Sequence, residues 1–297
     1  MSRSTKLYLL RPLLVAVAAA GACGATTLPP IWETAFGDPV ISSNIVRDDA
    51  TVNLGFNFSL FGASYSSASV SSKGYVTFGG AAGAQATPNS PQFLQGIPRI
   101  APAWYDVDVQ DSNGTILFNS FQNRAVFTFL DVASYAPPPG MAVLAENLAT
   151  YQLIVYKDGT VVFGYAAFNS LDPAVTGHVN SLLGSPEAII GISPGFGGSD
   201  PGSVNLPEAI RSAAGFAYTT ANSAVYQVVD NGGNVGPDNT NLAGMNFIFT
   251  PARVSGWTVT TPSQAATAVD TPEPATAPFL ALCLAAVVLC RGRKMNV

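Results

Sequence analysis

The chain has 297 residues, of which 48% are hydrophobic and only 10% charged, against a globular norm of roughly 25% charged. With 28 Gly and 22 Pro it is too apolar for a disordered chain and too rich in turn formers for a helical bundle, which leaves an all-β protein of many short strands. A net charge of −5 argues against a nucleic-acid partner.

Arg3, Lys6 and Arg11 precede the apolar run Leu13 to Ala20 and the small residues Ala20, Gly21 and Ala22. This is the layout of a secretory signal peptide over residues 1–25. The run is shorter than the about 20 residues that span a bilayer. Cys23 follows Ala22 directly, which also opens a lipoprotein reading with an acylated thiol, although Ala20 stands where such signals usually carry Leu. The exported body carries all 18 acidic residues and only seven of the 13 basic ones, a composition suited to solubility outside a cell. The three cysteines, Cys23, Cys283 and Cys290, all lie in the end segments, so the body has no disulfide framework and needs an apolar core instead.

From Thr51 to Phe58 apolar and polar residues alternate, the period-two signature of a strand with one buried face. Tyr75 to Phe78 follows a Lys73-Gly74 turn, and Thr115 to Phe118 follows Asn113-Gly114, a strong hairpin signal. Ala125 to Leu130 is mostly apolar on both faces, as a central strand would be. Tyr151 to Tyr156 and Val161 to Tyr165 flank Lys157-Asp158-Gly159-Thr160, the clearest hairpin in the chain. Ile189 to Ile192, Val225 to Val229 and Met245 to Phe249 add strands, and Pro251 to Trp257 is expected to be the last edge. Pro207 to Ala214 holds the one short helix expected. Pro137 to Gly140 and Gly195 to Gly202 read as long surface connections, and Gly195-x-Gly197-Gly198 as a flexible loop. The fold class is therefore all-β, a single β-sandwich-like or twisted-sheet domain over residues 30–257, with no second-domain boundary.

Along these strands the sequence resembles a known family. Phe56-x-Phe58, Phe61-Gly62, Tyr65 and Val70 to Phe78 are followed by Ile100-Ala101-Pro102-Ala103-Trp104-Tyr105-Asp106-Val107-Asp108. Then come Tyr151 to Ile154, Asp158-Gly159, Phe163-x-Tyr165 and Ile190-Gly191-Ile192. Together these resemble the nidogen-like (NIDO) domain over residues 48–195. Lys73 stands where the family usually has Asn, at the left-handed position before Gly. The resemblance implies an extracellular module of cell–matrix adhesion, and Trp104 as a core residue.

Residues 258–270 shift to Thr, Ala, Ser and Gln and read as a flexible linker. Then come Pro272-Glu273-Pro274, the 14-residue apolar run Ala277 to Cys290, and Arg291, Arg293 and Lys294. The run is short for a stable span. Triplet, short helix and basic cluster over 271–297 are similar to the PEP-CTERM sorting signal of Gram-negative bacteria. That resemblance implies recognition by an exosortase at Pro272 to Pro274, transient membrane insertion through 277–290, and removal of the tail.

Chemistry is largely excluded. His178 is the single histidine, in a loop with no nucleophile-elbow pattern near Ser181, Ser185 or Asp172, and a His/Cys zinc site lacks ligands. Asp106, Asp108, Asp111 and Asn113 form the densest oxygen cluster, open to a hydrogen-bonded turn or a weak calcium site. Alternation places Asp106 and Asp108 on one strand face. No catalytic residue and no cofactor beyond that calcium is expected. The reading is a non-enzymatic cell-surface or extracellular protein of adhesion, matrix or biofilm interaction. Its partners are the exosortase and a matrix, polysaccharide or surface-protein ligand. The alternatives are a carbohydrate- or exopolysaccharide-binding module and, more weakly, a secreted hydrolase.

Overall fold

The computed structural model describes residues 28–83, 85, 87–109, 114–134, 148–168, 187–211, 216–218, 222–230, 242–252 and 256–262. The expected signal peptide, Cys23, Asp111, Asn113, His178, the Pro137 to Gly140 loop, most of the linker and the whole 271–297 tail lie outside these residues.

In chain order the strands are β1 (Asp38–Ser42), β2 (Asp49–Leu60), β3 (Ala63–Ser71), β4 (Val76–Thr77), β5 (Arg99–Trp104), β6 (Val107–Asp108), β7 (Thr115–Ser120), β8 (Arg124–Ser134), β9 (Ala149–Tyr156), β10 (Val161–Phe168), β11 (Glu187–Ser193), β12 (Phe216–Tyr218), β13 (Val225–Asp230), β14 (Asn246–Pro251) and β15 (Trp257–Thr260). Helix α1 (Ser90–Gln95) precedes β5, and α2 (Leu206–Arg211) precedes β12. All strand pairs are antiparallel. The larger sheet runs β1-β7-β8-β9-β10-β14-β15-β12, with β6 paired on β8, and the smaller runs β13-β11-β5-β4-β3-β2. The all-β sandwich expected from composition and patterning is the fold observed.

The alternation in β2 does what it predicts. Leu54, Phe56, Phe58 and Leu60 are buried, while Asn53, Gly55, Asn57 and Ser59 face out. Between the sheets these residues meet Phe78, Ile100, Phe127, Phe129, Tyr151, Leu153, Phe163, Phe247 and Phe249 in one continuous core. Phe129 stacks on Tyr151 with ring centres 4.6 Å apart, and Phe163 lies 4.8 Å from Phe249. Aromatic pairs of this kind add to the area they bury. Tyr165 ties the layers together: its hydroxyl donates to Pro102 O at 2.7 Å. Full burial raises the pKa of Tyr151 and Tyr165 well above the usual phenol range.

Strands β8 and β9 are covered on both faces. Inward lie Ala125, Phe127 and Phe129 with Tyr151, Leu153 and Val155; outward lie Val126 and Ile154 in a separate apolar stripe with Val162, joined by Ile31. That stripe lies under an N-terminal strap, described below.

Three expectations change. The last edge is not Pro251 to Trp257 but β12, since β15 pairs with both β14 and β12. The sheet continues through Thr260, so the first three linker residues, 258–260, are strand. A second helix, α1, also forms where none was expected. Asn89 caps it, its Oδ1 accepting from Gln92 N at 2.8 Å, and Pro91 sits in the first turn where its missing N–H costs nothing.

Candidate functional site

The hallmark stretch Ile100 to Asp108 is clamped onto the turn that joins β3 to β4. Within that turn Ser71 N donates to Tyr75 O (2.8 Å), and Lys73 N donates to Ser71 Oγ (3.3 Å). The turn then meets the end of β5, where Ala103 N donates to Gly74 O and Tyr105 N to Lys73 O, both at 3.3 Å. Gly74 takes φ +83°, and a Cβ there would lie 1.8 Å from Ala103 O. The left-handed position is thus Gly74 itself. Lys73 has ordinary backbone and contributes its charge: Nζ donates to Asp106 Oδ1 at 2.7 Å and to Val107 O at 2.9 Å. Both side chains are mostly covered, 15% and 23% exposed.

This pairing bears on the oxygen cluster. Asp106 already accepts from an ammonium, and Asp108 pairs through β6 with Ala133 of β8. Among the described residues no group of three or more His, Cys, Asp or Glu gathers to hold a metal ion. Asp111 and Asn113 lie outside them.

Trp104 is fully buried, but not between the sheets. It belongs to a second cluster on the outer face of the smaller sheet, with Tyr75, Phe93, Leu94, Ala101, Ile189, Ala224 and Tyr226. Helix α1 covers this face through Phe93, whose ring lies 6.4 Å from Trp104 and 5.4 Å from Tyr226. Arg99 is buried in the same layer, 1% exposed, its guanidinium 4.8 Å from the Trp104 ring and 5.2 Å from Tyr75. Arg99 Nη1 donates to Gln85 Oε1 (3.0 Å), and Trp104 Nε1 donates to Gln85 O (2.7 Å). The Tyr75 hydroxyl donates to Gly83 O. Burial lowers the pKa of Arg99. A buried cation flanked by two rings, with the bonds from Tyr75 and Trp104, ties Gly83 and Gln85 to the sheet.

A feature absent from the sequence reading is the N-terminal strap. On the outer face of the larger sheet Thr128, Gln152, Gly164 and Asn246 stand in one row across β8, β9, β10 and β14. Residues 29–33 run over that row. Ile31 N donates to Asn246 Oδ1 (2.8 Å), and Asn246 Nδ2 returns to Ile31 O (3.0 Å). Glu33 N donates to Gln152 Oε1 (3.0 Å), and Gln152 Nε2 donates to Glu33 O (2.7 Å) and Thr128 Oγ1 (2.9 Å). Gly164 leaves room: a Cβ there would lie 3.2 Å from Ile31 O. Arg124 closes the strap with an ion pair to Glu33 at 2.5 Å, which lowers the Glu33 pKa. The buried amides of Gln152 and Asn246 were the only sequence signal for this strap: such groups need partners.

Two antiparallel sheets packed over an aromatic core, with a tight turn locked to an Ala-Pro-Ala-Trp-Tyr-Asp-Val-Asp stretch, define an all-β sandwich module. The family model described as NIDO related matches residues 31–251, and the chain belongs to that family. The match begins in the strap and ends with β14, so it takes in the smaller sheet and all of the larger one except β15. Domains of this kind are typical of extracellular proteins and point to an adhesion-type module. No curated protein and no solved structure matches the chain.

Proposed function

We propose that the chain is an exported, non-enzymatic adhesion protein of a Gram-negative envelope. Its NIDO-related domain engages matrix, polysaccharide or surface protein, and its tail is sorted and cut by an exosortase. The observation that carries this reading is the family match over 31–251 on a sandwich of two antiparallel sheets. Pro272, Glu273 and Pro274, the apolar run to Cys290 and the cluster Arg291, Arg293 and Lys294 supply the sorting half, and the basic N-terminus supplies the export half. Intact-mass measurement of the native protein is expected to find both the leader and residues 277–297 missing, and a deletion strain to lose surface attachment or aggregation. Recovery of an uncut chain, or attachment unchanged by deletion, refutes the corresponding half. The same mass reports whether Cys23 is acylated.

Calcium at Asp106, Asp108, Asp111 and Asn113 belongs to the same proposal. Calcium takes six to eight oxygens, so it competes with the Lys73 ammonium for the Asp106 carboxylate. At saturating calcium the melting temperature is expected to rise by about 5 °C over a chelated sample. Superimposable melts remove the metal from the proposal.

A further inference from the structure

Four described residues other than Gly hold a positive φ: Phe61, Asp131, Phe196 and Asn222. Such a backbone is costly for a bulky residue, so each calls for a reason. Phe61 has one in packing, its ring 5.3 Å from Trp257 and seated against the core. Asp131 sits at the β8–β9 bulge, where it exchanges hydrogen bonds with Thr150 Oγ1. Asn222 is a residue type that tolerates this region. Phe196 has no such compensation: φ is +50°, it lies within Gly195-Phe196-Gly197-Gly198, and 75% of it is exposed. Glycine at this position would remove both the strain and the exposed ring.

The loop is nevertheless pinned. Gly195 N donates to Ser193 Oγ (3.1 Å), Phe196 N to Gly96 O (2.8 Å), Gly197 N to Leu94 O (3.1 Å) and Gly198 N to Gly195 O (2.9 Å). Ser199 N donates to Asn222 O (3.0 Å), which brings the second positive-φ residue alongside. This replaces the flexible connection expected from its glycines. A hydrogen-bonded frame around an outward ring is a preorganised contact, because little ordering entropy remains to be lost on binding.

The surroundings select the ligand. The backbone bonds place Phe196 beside the C-terminal end of α1, with exposed Gln92 and Gln95, and beside exposed Ser199, Asp200 and Asn222. Asp200 Oδ1 accepts from Tyr226 and from Gly202 N, which fixes the carboxylate. These are amides, a hydroxyl and one acid, with no Lys or Arg among them. The described cation nearest this loop, Arg99, lies against Gly96 but is buried, so an anionic ligand finds no exposed countercharge among the described residues, whereas a neutral sugar presents an apolar ring face to an aromatic and hydroxyls to amides and carboxylate. We infer that Phe196, with Gln92, Asp200 and Asn222 around it, forms an aromatic platform that binds a neutral polysaccharide. The inference deepens the adhesion reading and rests on it, by naming the ligand class.

The test is electrophoresis of the purified full chain through gels containing soluble neutral glucan, mannan or galactan, with acidic alginate as a fourth gel. At least one neutral polysaccharide is expected to retard the protein. Phe196→Ala is expected to weaken that retardation about tenfold, and Phe196→Trp to keep it. Phe196→Gly is expected to lose retardation while melting higher than the parent, a combination that a purely structural role cannot produce. No retardation in any neutral gel, retardation in alginate alone, or a Phe196→Ala variant that runs like the parent overturns the inference. Attachment lost on deletion of the gene keeps the adhesion reading even then, so the two failures are distinguishable.

Discussion

Gly74→Ala is expected to destabilise the domain by about 3–5 kcal/mol, and so to lower its melting temperature by about 10 °C. Two effects add. The first is the backbone: φ +83° costs any L side chain about 1–2 kcal/mol. The second is space: the new methyl would stand 1.8 Å from Ala103 O and 2.9 Å from the Tyr151 hydroxyl, so β5 must move away from the turn. That movement loosens the bonds from Ala103 N and Tyr105 N and pulls on the Lys73–Asp106 pair. Gly62 is the control. It has nearly the same φ, +80°, and nothing within 4 Å of its absent Cβ, so Gly62→Ala bears only the backbone cost. Urea melts of the two variants measure the difference, and equal losses would show that the clamp carries no weight.

The same clamp shows where sequence reasoning reaches and where it stops. The strands were legible because burial imposes a period: Leu54, Phe56, Phe58 and Leu60 point one way and their neighbours the other. The mostly apolar stretch Ala125 to Leu130 of β8 was legible as a central strand for the same reason. The family resemblance located the right stretches, yet assigned the left-handed backbone to Lys73 when Gly74 bears it. Adjacent residues in a turn cannot be separated by composition; only the hydrogen bonds decide. Trp104 read correctly as buried, but periodicity does not say which face of a sheet is inner when a helix covers the other. Helix α1 has six residues, too few for a period to show, and only its Asn89-Ser90-Pro91 start marks it. For the oxygen cluster the information that sequence lacks is long-range. Proximity in sequence joined Asp106 to Asp108, while the fold brings Lys73 to Asp106 across 33 positions. Phe196 was hidden for another reason: its flanking glycines signal a loop, and nothing local tells that other segments pin it.

Gln152→Leu is expected to cost about 2–3 kcal/mol, although Leu nearly matches Gln in size. The substitution leaves Glu33 N, Glu33 O and Thr128 Oγ1 without the amide that joins them. Asn246→Leu removes the other anchor, at Ile31, with a loss of similar size. The two amides hold one segment, so once either is gone the strap lifts and takes Ile31 off the apolar stripe. The double variant should therefore lose less than the sum of the singles. Hydrogen exchange at the amides of Ile31 and Glu33 should rise in both single variants, while the β9 and β10 amides stay protected. The ion pair to Arg124 adds little, because a partly exposed pair contributes about 0–1 kcal/mol. Its sign is fixed by the lowered Glu33 pKa: the contribution is present above the unfolded carboxylate's pKa and is lost as pH falls through the folded one. A strap held mainly by neutral amides thus keeps most of its protection in mild acid. Additive losses, or exchange at Ile31 unchanged by Gln152→Leu, would mean that each end is held independently and that the row across β8, β9, β10 and β14 does not act as one unit.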